Sequence, residues 1–164
     1  MKSLAEDLAR YAAYHRDARN RATHYVGIPL IVFAVAVLLS RPQWQLGGIR
    51  ISPAVIGAAG SIVYYFLRDA GLGLLMAPVL GLALWLGAWV ALQGTSLWLA
   101  VGLGTLAVGW ACQFVGHFFE GRKPAFLDDL ASLLIGPLFV LAEALFALGF
   151  YRALRAELAV RAAR

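Results

Sequence analysis

The sequence contains little charge and almost no cysteine. Charged residues make up 14% of the 164 residues, whereas a soluble domain carries about 25%. The single cysteine, Cys112, lies inside an apolar run, which excludes a disulfide scaffold within the chain. The first 22 residues carry charged side chains throughout, so we expect no signal peptide. Hydrophobic residues make up 62% of the sequence, which excludes a disordered chain and predicts an integral membrane protein.

The charge that is present is mainly basic, with 14 lysines and arginines against 9 acidic residues. Most of the basic residues lie near the two ends of the chain: Arg10, Arg16, Arg19, Arg21, Arg152, Arg155, Arg161 and Arg164. Such a distribution is typical of cytoplasmic segments beside an anionic membrane leaflet. We therefore expect membrane lipid as a partner and no nucleic acid. The sequence leaves the oligomeric state open.

Residues 3–16 predict an amphipathic helix on the membrane surface, because Ser3 and Glu6 fit a capping box and Leu8 and Tyr11 recur on one face. Five apolar runs follow, at residues 24–40, 51–67, 71–92, 96–119 and 127–151. We expect a single membrane domain over residues 1–164, with the N-terminal helix and loop at 1–22, the membrane segments at 24–151 and a basic tail at 152–164.

The basic residues also predict the topology. If the N-terminus is cytoplasmic and all five runs cross, eight basic residues lie inside and six outside. If the fifth run breaks at Gly136-Pro137 and returns to its own side, the split becomes twelve to two. The positive-inside rule favours the second arrangement. The predicted fold is thus an all-α polytopic membrane helix bundle, with four spanning helices, a proline-broken fifth segment and the N-terminal amphipathic surface helix. We expect a bacterial inner membrane, or the endoplasmic reticulum in a eukaryote.

The chain has three histidines, and this topology places each near the cytoplasmic face of the membrane. His117 shares one helical face with Gln113 and Glu120, at spacings of four and three. His15 and His24 are nine residues apart, which puts them on opposite faces of one continuous helix. Either the two act separately, or the helix breaks between them.

Asp17 and Asn20 are both good N-cap residues, so either could begin a second helix between His15 and His24. Three imidazoles and a carboxylate would suit a divalent transition metal, and both Fe(II) and zinc fit these ligand types. The alternative is that the histidines lie at the interface and bind headgroups or backbone carbonyls. The residues alone leave these two interpretations about equally supported.

Other polar residues have two interpretations each. Glu143 is a functional candidate if the fifth run is buried in the membrane, and simply faces water if that run lies at the surface, which we favour. Asp128 and Asp129 are predicted to cap the fifth segment, and Asp128 is also within possible reach of a metal. Arg122 and Lys123 are candidates for binding anionic lipid or a substrate carboxylate.

Two stretches resemble a known family. Residues 14–29 read Y-H-x4-N-x3-H-x2-G-x-P, and residues 113–125 read Q-F-x-G-H-x2-E-x-R-x-P-A. Together they resemble the Mpo1-like family of small multi-span proteins, whose fungal member is a 2-hydroxy fatty acid dioxygenase that uses Fe(II) in fatty acid α-oxidation. The two motifs cover about 30 residues, and the intervening spans match the family only in hydropathy.

The resemblance implies an Fe(II) dioxygenase that takes a 2-hydroxy fatty acid and dioxygen and shortens the acid by one carbon through C1–C2 cleavage. It implies that His15, His24 and His117 bind iron, with Glu120 as a fourth ligand or as a hydrogen-bonding partner of the site. On this basis the catalytic residues are Glu120 and Asn20, and the substrate-binding residues are Arg19, Arg122, Lys123 and Gln113. The alternative is a non-enzymatic lipid-binding or transport protein with interfacial histidines. A di-iron hydroxylase is nearly excluded, because three histidines cannot fill two iron sites.

Overall fold

A computed structural model describes residues 3–162, and most of these residues are helical. The α-helices are α1 (Leu4–Ala13), α2 (Ala18–Ser40), α3 (Pro53–Arg68), α4 (Ala70–Ala91), α5 (Thr95–Glu120), α6 (Ser132–Ala147) and α7 (Arg152–Ala162). A short hairpin, β1 (Trp44–Leu46) and β2 (Ile49–Ile51), joins α2 to α3, and a 3-10 turn at Ala125–Leu127 precedes α6. The prediction of an all-α fold is confirmed. Lys2 and Arg164, which the topology count used, lie outside the described residues.

The first helix, Leu4–Ala13, lies within the predicted range of residues 3–16 and ends three residues earlier, and a break follows it. The Ser3 hydroxyl accepts the Glu6 N–H, and the Glu6 carboxylate accepts the Ser3 N–H at 2.8 Å, so the capping box is complete. Residues 14–17 then leave the helix, and α2 begins where the Asp17 carboxylate accepts the Arg19 N–H at 2.8 Å. Helix α1 contacts α6 and α7, and its Leu8 side chain is fully buried. A position on the membrane surface stays a prediction.

Three helices among residues 3–162 are long and apolar enough to cross a membrane, namely α2, α4 and α5, as expected of a membrane protein. Helices α3 and α6 have 16 residues each, which is about 24 Å of helix against a hydrocarbon core of ~30 Å. Helices α6 and α7 meet at a bend of 114° and count as a fourth span if the pair is one broken segment. The predicted number of spans and the cytoplasmic N-terminus stay predictions.

The predicted break of the fifth run at Gly136-Pro137 is wrong, because α6 continues through Pro137. A proline removes one helical hydrogen bond, and apolar helices tolerate this loss where neighbouring groups satisfy the freed carbonyl. The chain turns later, at residues 148–151, where Gly149 (φ +84°) and Tyr151 (φ +51°) adopt the left-handed conformation. The bend between α6 and α7 therefore comes from the loop after the helix and not from its proline.

The described residues divide into two compact units. One consists of the chain up to Ile28 together with the chain from Cys112 onward, and the other of Pro29–Ala111. In the second unit, α4 begins directly after α3, with the Asp69 carboxylate accepting the Leu72 N–H at 2.8 Å. All three histidines belong to the first unit. That the chain forms one membrane domain stays a prediction.

Candidate metal centre

Three separate parts of the first unit bring the three histidines together. His15 lies in the loop between α1 and α2, His24 in the first turns of α2, and His117 in the last turn of α5. Their ring centroids are 4.4 to 5.0 Å apart, and each offers a nitrogen within 4.8 Å of the others. Their exposed fractions are only 2%, 4% and 6%. Such burial disfavours the alternative in which the histidines contact lipid headgroups.

Backbone carbonyls determine which ring nitrogens carry protons in two of the histidines. The His15 Nδ1 lies 2.7 Å from the Tyr11 carbonyl, and the His24 Nδ1 lies 2.9 Å from the Asn20 carbonyl. A carbonyl only accepts, so both Nδ1 atoms donate and both Nε2 atoms carry a lone pair in the neutral ring. These two Nε2 atoms face each other at 3.0 Å. Two lone pairs at this distance repel unless a cation or a proton lies beside them.

Burial and neighbouring aromatic rings favour the neutral imidazole, which is the form of histidine that binds metals. Burial lowers the pKa of His15 to about 4, so its imidazole is neutral at pH 7. The Tyr11 ring stacks on the His15 ring at 4.2 Å, and the Phe139 ring packs on Tyr11 at 5.0 Å. The Nδ1 atom of His117 is buried without a hydrogen-bond partner among residues 3–162. A metal-ligating histidine is usually neutral and held through its other ring nitrogen, and the carbonyl bonds hold His15 and His24 in this way. The donor set therefore fits a divalent transition metal.

Glu120 lies beside the cluster, but its carboxylate binds the loop that carries His15. One oxygen accepts the Arg16 N–H at 3.0 Å, and the other accepts the Asp17 N–H at 2.9 Å. The second oxygen also accepts the side-chain amide of Asn20 at 3.0 Å. Glu120 is not among the residues whose ligand atoms converge in the described structure. Its role as a fourth ligand stays a prediction.

Asn20 connects the loop to α2. Its side chain is fully buried and donates to the Tyr14 carbonyl at 3.2 Å as well as to Glu120. Its own carbonyl accepts the His24 ring. The predicted pair of Glu120 and Asn20 therefore does come together, as a hydrogen-bonded unit next to the histidines.

The predicted substrate-binding residues are separated by the fold. Gln113 is buried, and its side-chain nitrogen has no partner within the described part of the chain. Arg19 is exposed, pairs with Asp17 at 2.8 Å and covers the Phe119 ring. That ion pair lowers the pKa of Asp17 to about 2. Of the predicted set, only Gln113 is buried as the histidines are.

The other two basic residues are exposed and already paired. Arg122 donates to the Ala13 carbonyl at 3.3 Å, and Lys123 pairs with Asp128. Asp128 also accepts the Tyr14 hydroxyl at 2.9 Å, so it stabilises the same loop and does not join the cluster.

Two further predictions concern the fifth run. The Asp129 carboxylate accepts the Ala131 N–H just before α6, whereas among the described residues no side-chain hydrogen bond caps α6 itself. Glu143 is half-buried and accepts the Tyr25 hydroxyl at 3.2 Å, so this carboxylate does not simply face water.

Gly116 is a residue whose role the spacing did not reveal. A Cβ at this position would lie 2.3 Å from the Thr23 hydroxyl, 2.4 Å from the Asn20 side-chain oxygen and 3.2 Å from the His24 ring. The absence of a side chain at Gly116 therefore allows α5 and α2 to bring His117 and His24 together. Its position directly before His117, in the second motif, is the sequence signal that points to it.

The fold and the cluster define a class of protein, namely a helical protein with candidate membrane spans and a buried group of three histidines that could hold a metal ion. A family model described as "2-hydroxy-palmitic acid dioxygenase Mpo1-like" matches residues 1–148, and the chain belongs to this family. The chain is 33% identical over 157 residues to the 2-hydroxy-palmitic acid dioxygenase MPO1 of Saccharomyces cerevisiae. The match covers 94% of this chain and 87% of the yeast protein. No solved structure matches the chain.

Proposed function

We propose that the protein is an Fe(II)-dependent membrane dioxygenase that shortens 2-hydroxy fatty acids by one carbon through cleavage of the C1–C2 bond. The observation that carries the proposal is the pair of Nε2 atoms of His15 and His24, which face each other at 3.0 Å with His117 beside them. This arrangement supports a cation site. The activity named for the yeast relative supports the substrate class.

Iron is proposed over zinc because of the reaction. Imidazole suits both metals, but zinc has no redox chemistry, and a dioxygenase must transfer electrons to dioxygen. Bound Fe(II) would supply that redox chemistry and a common binding position for dioxygen and for the carboxylate and 2-hydroxyl of the substrate. With dioxygen as the sole oxidant, R–CHOH–COOH + O2 balances as R–COOH + CO2 + H2O.

The protein's own residues hold this site in place. The carbonyls of Tyr11 and Asn20 orient two of the imidazoles and leave their Nε2 lone pairs free for the metal. Gln113 lies one helical turn before His117 and is buried. Its side-chain N–H, which has no partner among residues 3–162, would donate to the oxygens of the substrate. Exposed Arg19, Arg122 and Lys123 would attract the carboxylate towards the site from the aqueous side.

The apolar helices would hold the acyl tail of the substrate. The compartment that we propose is a bacterial inner membrane, or the endoplasmic reticulum in a eukaryote. Glu120 and Asn20 would support catalysis through the hydrogen bonds they make to the loop at residues 14–17.

The experiment is turnover of 2-hydroxypalmitate by detergent-purified protein supplied with Fe(II), following dioxygen uptake and the chain-shortened acid. Wild type should consume one dioxygen for each acid shortened, with no added reductant. His24→Ala should lose activity, whereas Phe118→Ala, which removes an 80%-exposed neighbour of His117, should keep it. Full turnover by His24→Ala would contradict the proposal.

A further inference from the structure

The carboxylate of Glu120 is the common point of contact of the chain segments that carry the three histidines. Glu120 is the last residue of α5 and lies three residues after His117. It receives the N–H groups of Arg16 and Asp17, which directly follow His15. It also receives the side chain of Asn20.

Asn20 in turn extends these contacts to the third histidine. Its carbonyl accepts the His24 Nδ1–H at 2.9 Å, and its side-chain amide donates to the Tyr14 carbonyl on the other side of His15. One carboxylate thus connects the loop of His15, the helix of His24 and the helix of His117.

Hydrogen bonds within the protein occupy most of the lone-pair positions of the Glu120 carboxylate. A carboxylate offers about four lone-pair positions, and three of those of Glu120 receive N–H groups from the loop and from Asn20. All three donors precede α2 or lie in its first turn, where the helix dipole also favours a negative charge. The histidine nitrogens converge without Glu120.

We infer that Glu120 is a positioning residue and not a metal ligand: it fixes the loop at residues 14–17 so that His15 faces His24. The part of this inference that concerns the metal rests on the proposed function. The part that concerns the loop rests only on the hydrogen bonds of the protein.

The first test is amide hydrogen exchange of the full chain in detergent, followed by mass spectrometry of peptides that cover residues 14–20, with Fe(II) and after chelation. In wild type the amides of Arg16 and Asp17 should be protected in both conditions. In Glu120→Gln they should exchange at least tenfold faster, because an amide has one accepting oxygen and presents an NH2 group to the other donors. The matched control is Glu143→Gln, which changes a half-buried carboxylate bonded to Tyr25. This variant should leave the loop protected.

Glu120→Asp provides a second variant if Glu120→Gln does not fold. It keeps the charge but is one methylene shorter. We therefore expect the amides of Arg16 and Asp17 to exchange at a rate between the rates of wild type and of Glu120→Gln. Unprotected amides of Arg16 and Asp17 in wild type, or an exchange rate that neither variant changes, would overturn the inference that Glu120 holds the loop.

The second test separates positioning from ligation. Glu120→Gln should bind Fe(II) 10- to 100-fold more weakly, as is usual when a partner of a ligand is removed. At saturating Fe(II) the electron paramagnetic resonance spectrum of its nitric oxide adduct should match that of wild type. A changed spectrum would show that Glu120 is a ligand and overturn the inference. If wild type binds no iron, the proposed function fails, whereas the exchange result still decides whether Glu120 holds the loop.

Discussion

Replacing Gly116 with alanine tests how closely the helices that carry His24 and His117 must approach. The new methyl group would lie 2.3 Å from the Thr23 hydroxyl and 2.4 Å from the Asn20 side-chain oxygen, whereas ordinary van der Waals contact begins near 3.4 Å. The helices must therefore separate by about 1 Å, or both side chains must move. Thr23 cannot move freely, because its hydroxyl donates to the Asn20 carbonyl at 2.8 Å.

The size of the effect follows from this overlap. An extra methyl in a well-packed position costs about 1–3 kcal/mol. If α2 and α5 relieve that strain by moving apart, metal binding must restore their approach, and Fe(II) affinity should fall by about 5- to 150-fold.

The assay is a titration with Fe(II) under anaerobic conditions, together with the temperature of unfolding. The matched control is Gly104→Ala in the same helix, where a Cβ would meet nothing within 4 Å. This control should keep wild-type affinity and gain about 0.5–1 kcal/mol of stability, since alanine is the better helix former. Wild-type Fe(II) affinity in folded Gly116→Ala would refute the reasoning that close helix approach forms the site.

Three further predictions concern the metal, the substrate and the surface charge. Chelation should lower the temperature of unfolding, because Fe(II) at a hundredfold its Kd contributes about 2.7 kcal/mol, and added Fe(II) should restore it. Gln113→Leu should lower the preference for binding 2-hydroxypalmitate over palmitate by about tenfold, because the buried donor is lost; an unchanged preference would remove Gln113 from the substrate site. Lys123→Ala should raise KM by less than about fivefold at low salt and leave kcat unchanged, because Lys123 is exposed and acts only through long-range attraction. A fall in kcat would contradict that role.

Local rules predicted the parts of the fold that depend on a few neighbouring residues. The capping box of Ser3 and Glu6 formed as predicted, because it depends only on side chains that accept nearby N–H groups. Of the two alternatives that the spacing of His15 and His24 left open, the structure shows the helix break, with the Asp17 carboxylate accepting the Arg19 N–H. The position of the bend after α6 was not predictable in this way. Pro137 is tolerated within the helix, and the turn instead occurs where Gly149 and Tyr151 take left-handed conformations.

The candidate site shows a similar division. The two motifs identified the three histidines, and the helical spacing placed His117 on one face with Glu120. The partners of Glu120 were not predictable, because its contacts with Arg16 and Asp17 join residues about 100 positions apart. The role of Gly116 also depends on this long-range approach, since only a packed structure shows what a Cβ would meet.

The most direct test of the account is the metal content of protein purified in detergent without chelators and reconstituted anaerobically with Fe(II). Wild type, His117→Ala and the control Phe118→Ala should be measured side by side by mass spectrometry. The account predicts about one iron per chain in wild type and in Phe118→Ala, and almost none in His117→Ala. Absence of iron from all three proteins, or equal iron in wild type and His117→Ala, would contradict the claim that His15, His24 and His117 form an iron site.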